Sequence, residues 1–86
     1  MKPLLTFALA KNDDELIIHG DAAGLDFLAK KFIGLAEKMK KGQPDHEHLM
    51  TEAWAGNELS SLRQRDDTTL INQVKIYARP KGEPKI

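Results

Sequence analysis

One long amphipathic segment constrains the fold of this chain more than any other feature. Within residues 22–41, apolar side chains recur at steps of three and four, which places them on one face of a helix. They are Leu25, Leu28, Ala29, Phe32, Ile33, Ala36 and Met39. Asp21 can cap the first turn, and Gly42 followed by Pro44 ends the segment. The sequence therefore predicts a single long helix with one buried face.

The other apolar segments alternate with polar residues, which is typical of strands. Strands are predicted at residues 4–10, 15–19, 47–54 and 69–78, with a turn at Asn12, Asp13 and Asp14. Residues 58–62 fit either a short strand or one helical turn.

The element order is thus β-β-α-β-(β)-β, which predicts an α+β fold. One antiparallel sheet of four or five strands, with the helix packed on one face, would bury all the apolar stripes. The domain is expected to cover residues 1–79. Residues 80–86 begin with proline and contain a second one, so they are expected to form a flexible tail.

Composition narrows the possible functions. A chain of 86 residues makes one small domain with a thin core. It has 13 basic and 13 acidic residues, and this balance argues against a nucleic-acid partner, which usually requires a basic excess. The absence of cysteine excludes disulfides and thiolate chemistry and favours the cytoplasm.

The N-terminal apolar run, which ends in Ala8-Leu9-Ala10, faintly resembles a signal peptide. It fits better as the first strand of a hairpin. No segment approaches the roughly 20 apolar residues that span a bilayer, so no membrane partner is expected.

The sharpest local pattern is His46-x-His48. Alternation along the predicted third strand places both histidines on one face, together with Glu52 and Trp54. Two imidazoles and a carboxylate are suitable ligands for a divalent metal, and His19 could join them if its strand lies nearby. Ordinary solvated histidines are the favoured interpretation, and no cofactor is expected. A metal site built on His46, His48 and Glu52 stays open as an alternative.

The chain carries no catalytic signature that predicts an enzyme. Ser60 and Ser61 lack the Gly-x-Ser-x-Gly setting of a nucleophile, and no glycine-rich phosphate motif is present. The adjacent acidic pairs lie in predicted loops. A domain of this size also has little room for a substrate cleft.

A protein-binding surface fits these residues better than a reaction centre does. Trp54 is either a core anchor or an interface residue with a large contact area, and Tyr77 lies on the polar face of the last strand. The predicted partner-binding residues are His46, His48, Glu52, Trp54, Asn57 and Tyr77.

Four segments resemble a known family. They are residues 15–21 (ELIIHGD) running into the helix, 46–51 (HEHLMT) with Trp54, 56–60 (GNELS), and 74–77 (VKIY). In this order the chain resembles immunity-protein family thirty-two of bacterial polymorphic toxin systems, and the segments span most of its length. The family pattern has a glycine before Gly56, where this chain has Ala55. If the turn requires a positive φ, alanine is strained there.

This resemblance implies a small α+β protein with which a toxin-producing bacterium protects itself. Such a protein binds a cognate toxin domain and blocks it. For a domain of this size we expect a monomer or a homodimer. The alternative is a small α+β domain that acts through self-association or through a His/Glu metal site.

Overall fold

The computed structural model describes residues 2–11 and 14–81 and has an α+β fold with one long helix. The elements in chain order are β1 (Leu5–Ala10), β2 (Leu16–Gly20), α1 (Ala22–Lys40), β3 (Asp45–Met50), a 3-10 helix (Glu52–Trp54), β4 (Thr68–Ile71) and β5 (Gln73–Ala78). Asn12 and Asp13 of the predicted turn, and residues 82–86 of the predicted tail, lie outside the described residues.

The helix begins and ends where the sequence predicts. The Asp21 carboxylate accepts a hydrogen bond from the Gly24 N–H at 2.7 Å, and this bond holds the pKa of Asp21 below its usual range. Gly42, just beyond the helix, adopts a φ of 72°, a conformation that glycine reaches without strain.

The strands form two antiparallel sheets, so the predicted single sheet is wrong. One sheet has the order β2-β1-β4, and the other pairs β3 with β5. The predicted strand over residues 69–78 is in fact two strands that break at Asn72. Because β4 pairs with β1 while β5 pairs with β3, the break sends consecutive strands into different sheets.

The same break changes which side chains face the core. Ile71 lies opposite Phe7 in one sheet, and Val74 lies opposite Leu49 in the other. Both Ile71 and Val74 pack against the core, although they are three positions apart. Unbroken alternation would have placed them on opposite faces. An extra residue at this point bends a strand and reverses its alternation, as a bulge does.

Thr51 holds the junction between the two sheets. Its backbone N–H donates to the Asn72 carbonyl at 3.0 Å, and its hydroxyl donates to Asn72 Oδ1 at 2.7 Å. The Thr51 carbonyl then accepts from the N–H groups of Trp54 and Gly56, which turns the chain into the 3-10 helix. The third strand therefore ends at Met50, and its predicted extension to Trp54 is wrong.

Residues 58–62 form neither a ladder strand nor a helical turn. Leu59 makes an isolated parallel bridge with Thr51, and its N–H donates to the Met50 carbonyl at 3.1 Å. Ser60 N–H donates to the Leu5 carbonyl at 2.8 Å. This short segment thus connects the start of β1 to the end of β3.

One core lies between α1 and the two sheets. Its buried members are Leu5, Phe7, Leu28, Leu49 and Leu59, and the partly buried Phe27, Ile71, Val74 and Ile76 pack against them. Because both sheets and the 59–60 segment contribute to it, this cluster holds the halves of the fold together.

We expect Thr51→Val to lower the free energy of unfolding by about 1–3 kcal/mol. The substitution keeps the shape of a fully buried side chain but leaves Asn72 Oδ1 without its donor. Urea denaturation measures the change. Thr69→Val, at an exposed position of β4, is the matched control and should stay within about 0.5 kcal/mol of wild type. Equal effects of the two substitutions would contradict the role given to Thr51.

Ala55 occupies the left-handed conformation, which glycine adopts without strain and alanine does not. Its φ is 66°, and it is the one non-glycine residue with a positive φ among the described residues. This conformation costs an L-residue about 1–2 kcal/mol. We therefore expect Ala55→Gly to stabilise the protein by roughly 0.5–1 kcal/mol, after the greater flexibility of glycine in the unfolded chain is subtracted. Thermal unfolding would measure the gain, and a loss of stability would contradict this explanation.

Candidate protein-binding face

The outer face of the β3–β5 sheet carries a compact group of polar and aromatic side chains. Alternation along β3 exposes His46 and His48, and alternation along β5 exposes Lys75 and Tyr77. The pairing places His46 opposite Tyr77 and His48 opposite Lys75. We call these four residues the outer cluster.

The rings of the outer cluster are in contact. The His46 and Tyr77 rings are stacked, with centroids 5.5 Å apart and planes at 28°. The His46 and His48 centroids are 4.8 Å apart. Tyr77 is nevertheless 55% exposed, so a partner can reach it. Ring contacts of this kind restrict side-chain rotation before binding, which lowers the entropy cost of forming an interface.

Helix α1 supports the start of β3 through ion pairs. Lys38 pairs with Asp45, and Lys31 Nζ lies 3.5 Å from Glu47 Oε1. The Lys38 hydrogen bond holds the pKa of Asp45 below its usual range, and the same contact raises the pKa of Lys38. Asp45 also accepts from the His46 N–H at 2.8 Å. These contacts fix the backbone beneath His46.

A shallow depression borders the outer cluster. Its volume is about 320 Å³, and its lining includes Pro44, His46, Tyr77 and Pro80. Pro44, Pro80 and the Tyr77 ring give it apolar surface, while Asp45 and Arg79 contribute charged groups. The depression has the size and chemistry to accept one side chain of a partner protein.

Glu52 and Trp54 do not share this face by strand alternation, contrary to the sequence prediction. Both lie in the 3-10 helix beyond the end of β3, and Glu52 Oε1 forms an ion pair with Lys2 Nζ at 3.1 Å. Trp54 is 54% exposed, so it is not a core anchor.

Asn57 also lies apart from the outer cluster. It lines a separate cavity of about 330 Å³ together with Gly24 and Phe27 of α1. The structure therefore brings together three of the six predicted binding residues, His46, His48 and Tyr77. It adds Lys75, whose position on the Tyr77 side of the last strand was the sequence signal for it.

The alternative metal site is not assembled. No group of three His, Asp or Glu side chains that could hold a metal ion occurs among the described residues. Two features of the fold explain this. Glu52 leaves the strand for the 3-10 helix, and His19 belongs to β2 in the other sheet, where it lies opposite Thr6.

The comparisons with known proteins give one positive result. No match to the chain was found among curated proteins or among solved structures. No helix in residues 2–11 and 14–81 is long and apolar enough to cross a membrane. The family model of immunity protein 32 matches residues 15–80, a range that includes the helix and four of the five strands. The chain therefore belongs to the immunity protein 32 family, as the resemblance predicted.

Proposed function

We propose that this protein binds and neutralises a cognate toxin domain, and that the outer cluster is the centre of the contact. Family membership supports an immunity role in general. We choose this surface because the exposed His46 and Tyr77 rings stack on each other. Ion pairs from α1 to β3 hold the strand that carries His46.

The chemistry of the outer cluster suits a protein interface. Tyrosine is enriched among residues that dominate binding energy, because one rigid side chain supplies both apolar area and a hydroxyl. The histidines offer hydrogen bonds, and Lys75 adds a positive charge at the edge. The partner would thus contact a surface in which the ring contacts already restrict side-chain rotation, with a polar rim.

The proposed mechanism is occlusion. The immunity protein covers the toxin's active surface or locks its conformation, so it needs no catalytic group or cofactor of its own. In this proposal the complex forms in the cytoplasm of the toxin-producing cell, within a polymorphic toxin system.

The proposal is tested by affinity capture from a lysate of the source bacterium. The baits are tagged wild type, Tyr77→Ala and Leu62→Ala, which changes a side chain that is 73% exposed outside the outer cluster. Mass spectrometry should find one toxin-domain protein with wild type and with Leu62→Ala, and a strong depletion with Tyr77→Ala. Absence of a toxin-domain protein from every sample would contradict the proposed function. Equal capture by all three baits would contradict the choice of surface.

A further inference from the structure

The outer edge of β2 lacks the charged side chains, the proline and the bulge that protect many sheet edges. Among the described residues, β2 pairs with β1 on one side and with no strand on the other. Its sequence, Leu-Ile-Ile-His-Gly, contains no lysine, arginine, carboxylate or proline. Natural edge strands normally carry such residues or a bulge, because an exposed edge pairs with other chains.

The pattern of hydrogen bonds shows which backbone groups point outward. Ala10 N–H donates to the Glu15 carbonyl, and Asp21 N–H donates to the Leu4 carbonyl. Because bonded pairs alternate in an antiparallel ladder, the odd-numbered residues of β2 face β1. The N–H and C=O groups of Leu16, Ile18 and Gly20 therefore point away from the sheet.

An exposed apolar patch lies beside this edge. Leu16 and Ile18 lie opposite Leu9 and Phe7, so they share the face that carries the core. The exposed apolar side chains are Leu9, Leu16 and Ile18 on the sheet, Leu25 beside Gly20, and Phe32 two turns further along the same side of α1. We call these five residues the apolar patch. All five side chains are between 42% and 52% exposed. Leu25 packs directly over Gly20, where an added Cβ would lie 2.9 Å from its side chain.

We propose that β2 pairs antiparallel with β2 of a second copy of this chain, joining two three-stranded sheets into one of six strands. In the register that best pairs apolar side chains across the two strands, Ile17 lies opposite Ile17 of the second copy. This register places Leu16 opposite Ile18 of the second copy in a hydrogen-bonded pair, on the same face as the apolar patch. The outward groups of Leu16 and Ile18 are then paired, Gly20 lies opposite Asp14 of the second copy, and the two patches meet.

The charges also favour a second copy as the occupant. In this register, Glu15 lies opposite His19 of the second copy, so an imidazole N–H can donate to a carboxylate. No like charges face each other within β2, because its residues carry no acidic or permanently basic side chain. The formal net charge of zero also removes the general repulsion between identical chains.

The dimer goes beyond the proposed toxin binding and does not depend on it. The outer cluster belongs to the other sheet and faces away from the core, so each subunit keeps it accessible. A dimer built through β2 would thus present two toxin-binding faces.

Sedimentation equilibrium on the purified chain, without toxin, tests the pairing. Wild type should have twice the 9.6 kDa mass of the chain. Leu16→Lys and Ile18→Lys should have the mass of one chain, because each places a charge in the joined patch. Both side chains are already partly exposed, and circular dichroism verifies that the variants fold. Leu62→Lys is the control and should remain dimeric.

Amide hydrogen exchange locates the interface. The Leu16 and Ile18 amides should exchange at least about tenfold more slowly in wild type than in the folded Leu16→Lys or Ile18→Lys variants. A single-chain mass for wild type at high concentration overturns the proposal, and so does a dimer in which these two amides exchange at the variant rate. A third result is that wild type has the mass of one chain and captures the toxin, while the Leu16→Lys variant does not capture it. In that case the patch is a toxin contact and the self-pairing is wrong. A failure of the toxin-binding proposal would not change the mass of wild type in sedimentation equilibrium. The proposals of toxin binding and of β2 self-pairing can therefore fail separately.

Discussion

Gly24→Ala should destabilise the protein by about 3 kcal/mol or prevent folding, whereas Gly34→Ala in the same helix should stabilise it by roughly 0.5–1 kcal/mol. A Cβ added at Gly24 would lie 1.8 Å from the Leu4 carbonyl oxygen and 2.8 Å from its carbon. These are backbone atoms, and the Leu4 carbonyl also accepts the Asp21 N–H, so neither the helix nor the strand can move easily. A Cβ added at Gly34 meets nothing within 4 Å and improves the helix propensity.

Urea denaturation of both variants measures this difference, and circular dichroism detects a Gly24→Ala chain that fails to fold. Gly34→Ala is the control for Gly24→Ala. Both variants add one methyl group to the same helix, and only the surroundings of the added Cβ differ. If Gly24→Ala is as stable as wild type, α1 does not approach β1 as closely as the structure shows.

Tyr77→Ala should weaken binding to the captured toxin domain by about 2 kcal/mol, or roughly 30-fold. The substitution removes the exposed ring that stacks on His46 and borders the depression. Since Tyr77 contributes little to the core, the variant should keep the fold of the wild type. Leu62→Ala should change the affinity by less than about threefold, as expected of a residue outside the contact.

Isothermal titration calorimetry with the purified toxin domain measures these affinities. Adding His46→Ala completes a double-mutant cycle with Tyr77→Ala. A coupling energy of about 0.5–1.5 kcal/mol would show that the two rings act together in binding. Additive effects would mean that the ring contact between them has no role in the interface.

Local sequence signals predicted the helix and the first hairpin well. The Asp21 cap and Gly42 each act within a few residues, so their effect does not depend on the rest of the fold. The same is true of the alternation along β3 and β5, which correctly placed His46 and His48 on one face and Tyr77 on the polar side of its strand.

The predicted buried stripe of α1 is wrong in most of its members. Leu25, Phe32 and Ile33 are between 48% and 59% exposed. The helix buries Gly24, Leu28 and Leu35, of which only Leu28 belongs to the predicted stripe.

The split into two sheets could not be read from local patterns. Residues 69–78 alternate well enough for one strand, and only the pairing partners reveal the break at Asn72. The end of β3 depends likewise on the bonds between Thr51 and Asn72, which are 21 positions apart. For this reason the sequence placed Glu52 and Trp54 on the strand face, and the structure did not.

Growth of cells that produce the captured toxin domain tests the central claim most directly. The toxin is produced together with wild type, with the double variant His46→Ala/Tyr77→Ala, or with Leu62→Ala, and immunoblotting verifies equal levels of each. We expect wild type and Leu62→Ala to restore growth, and the folded double variant to leave the cells unprotected. Full protection by the double variant would show that the outer cluster is not the neutralising surface.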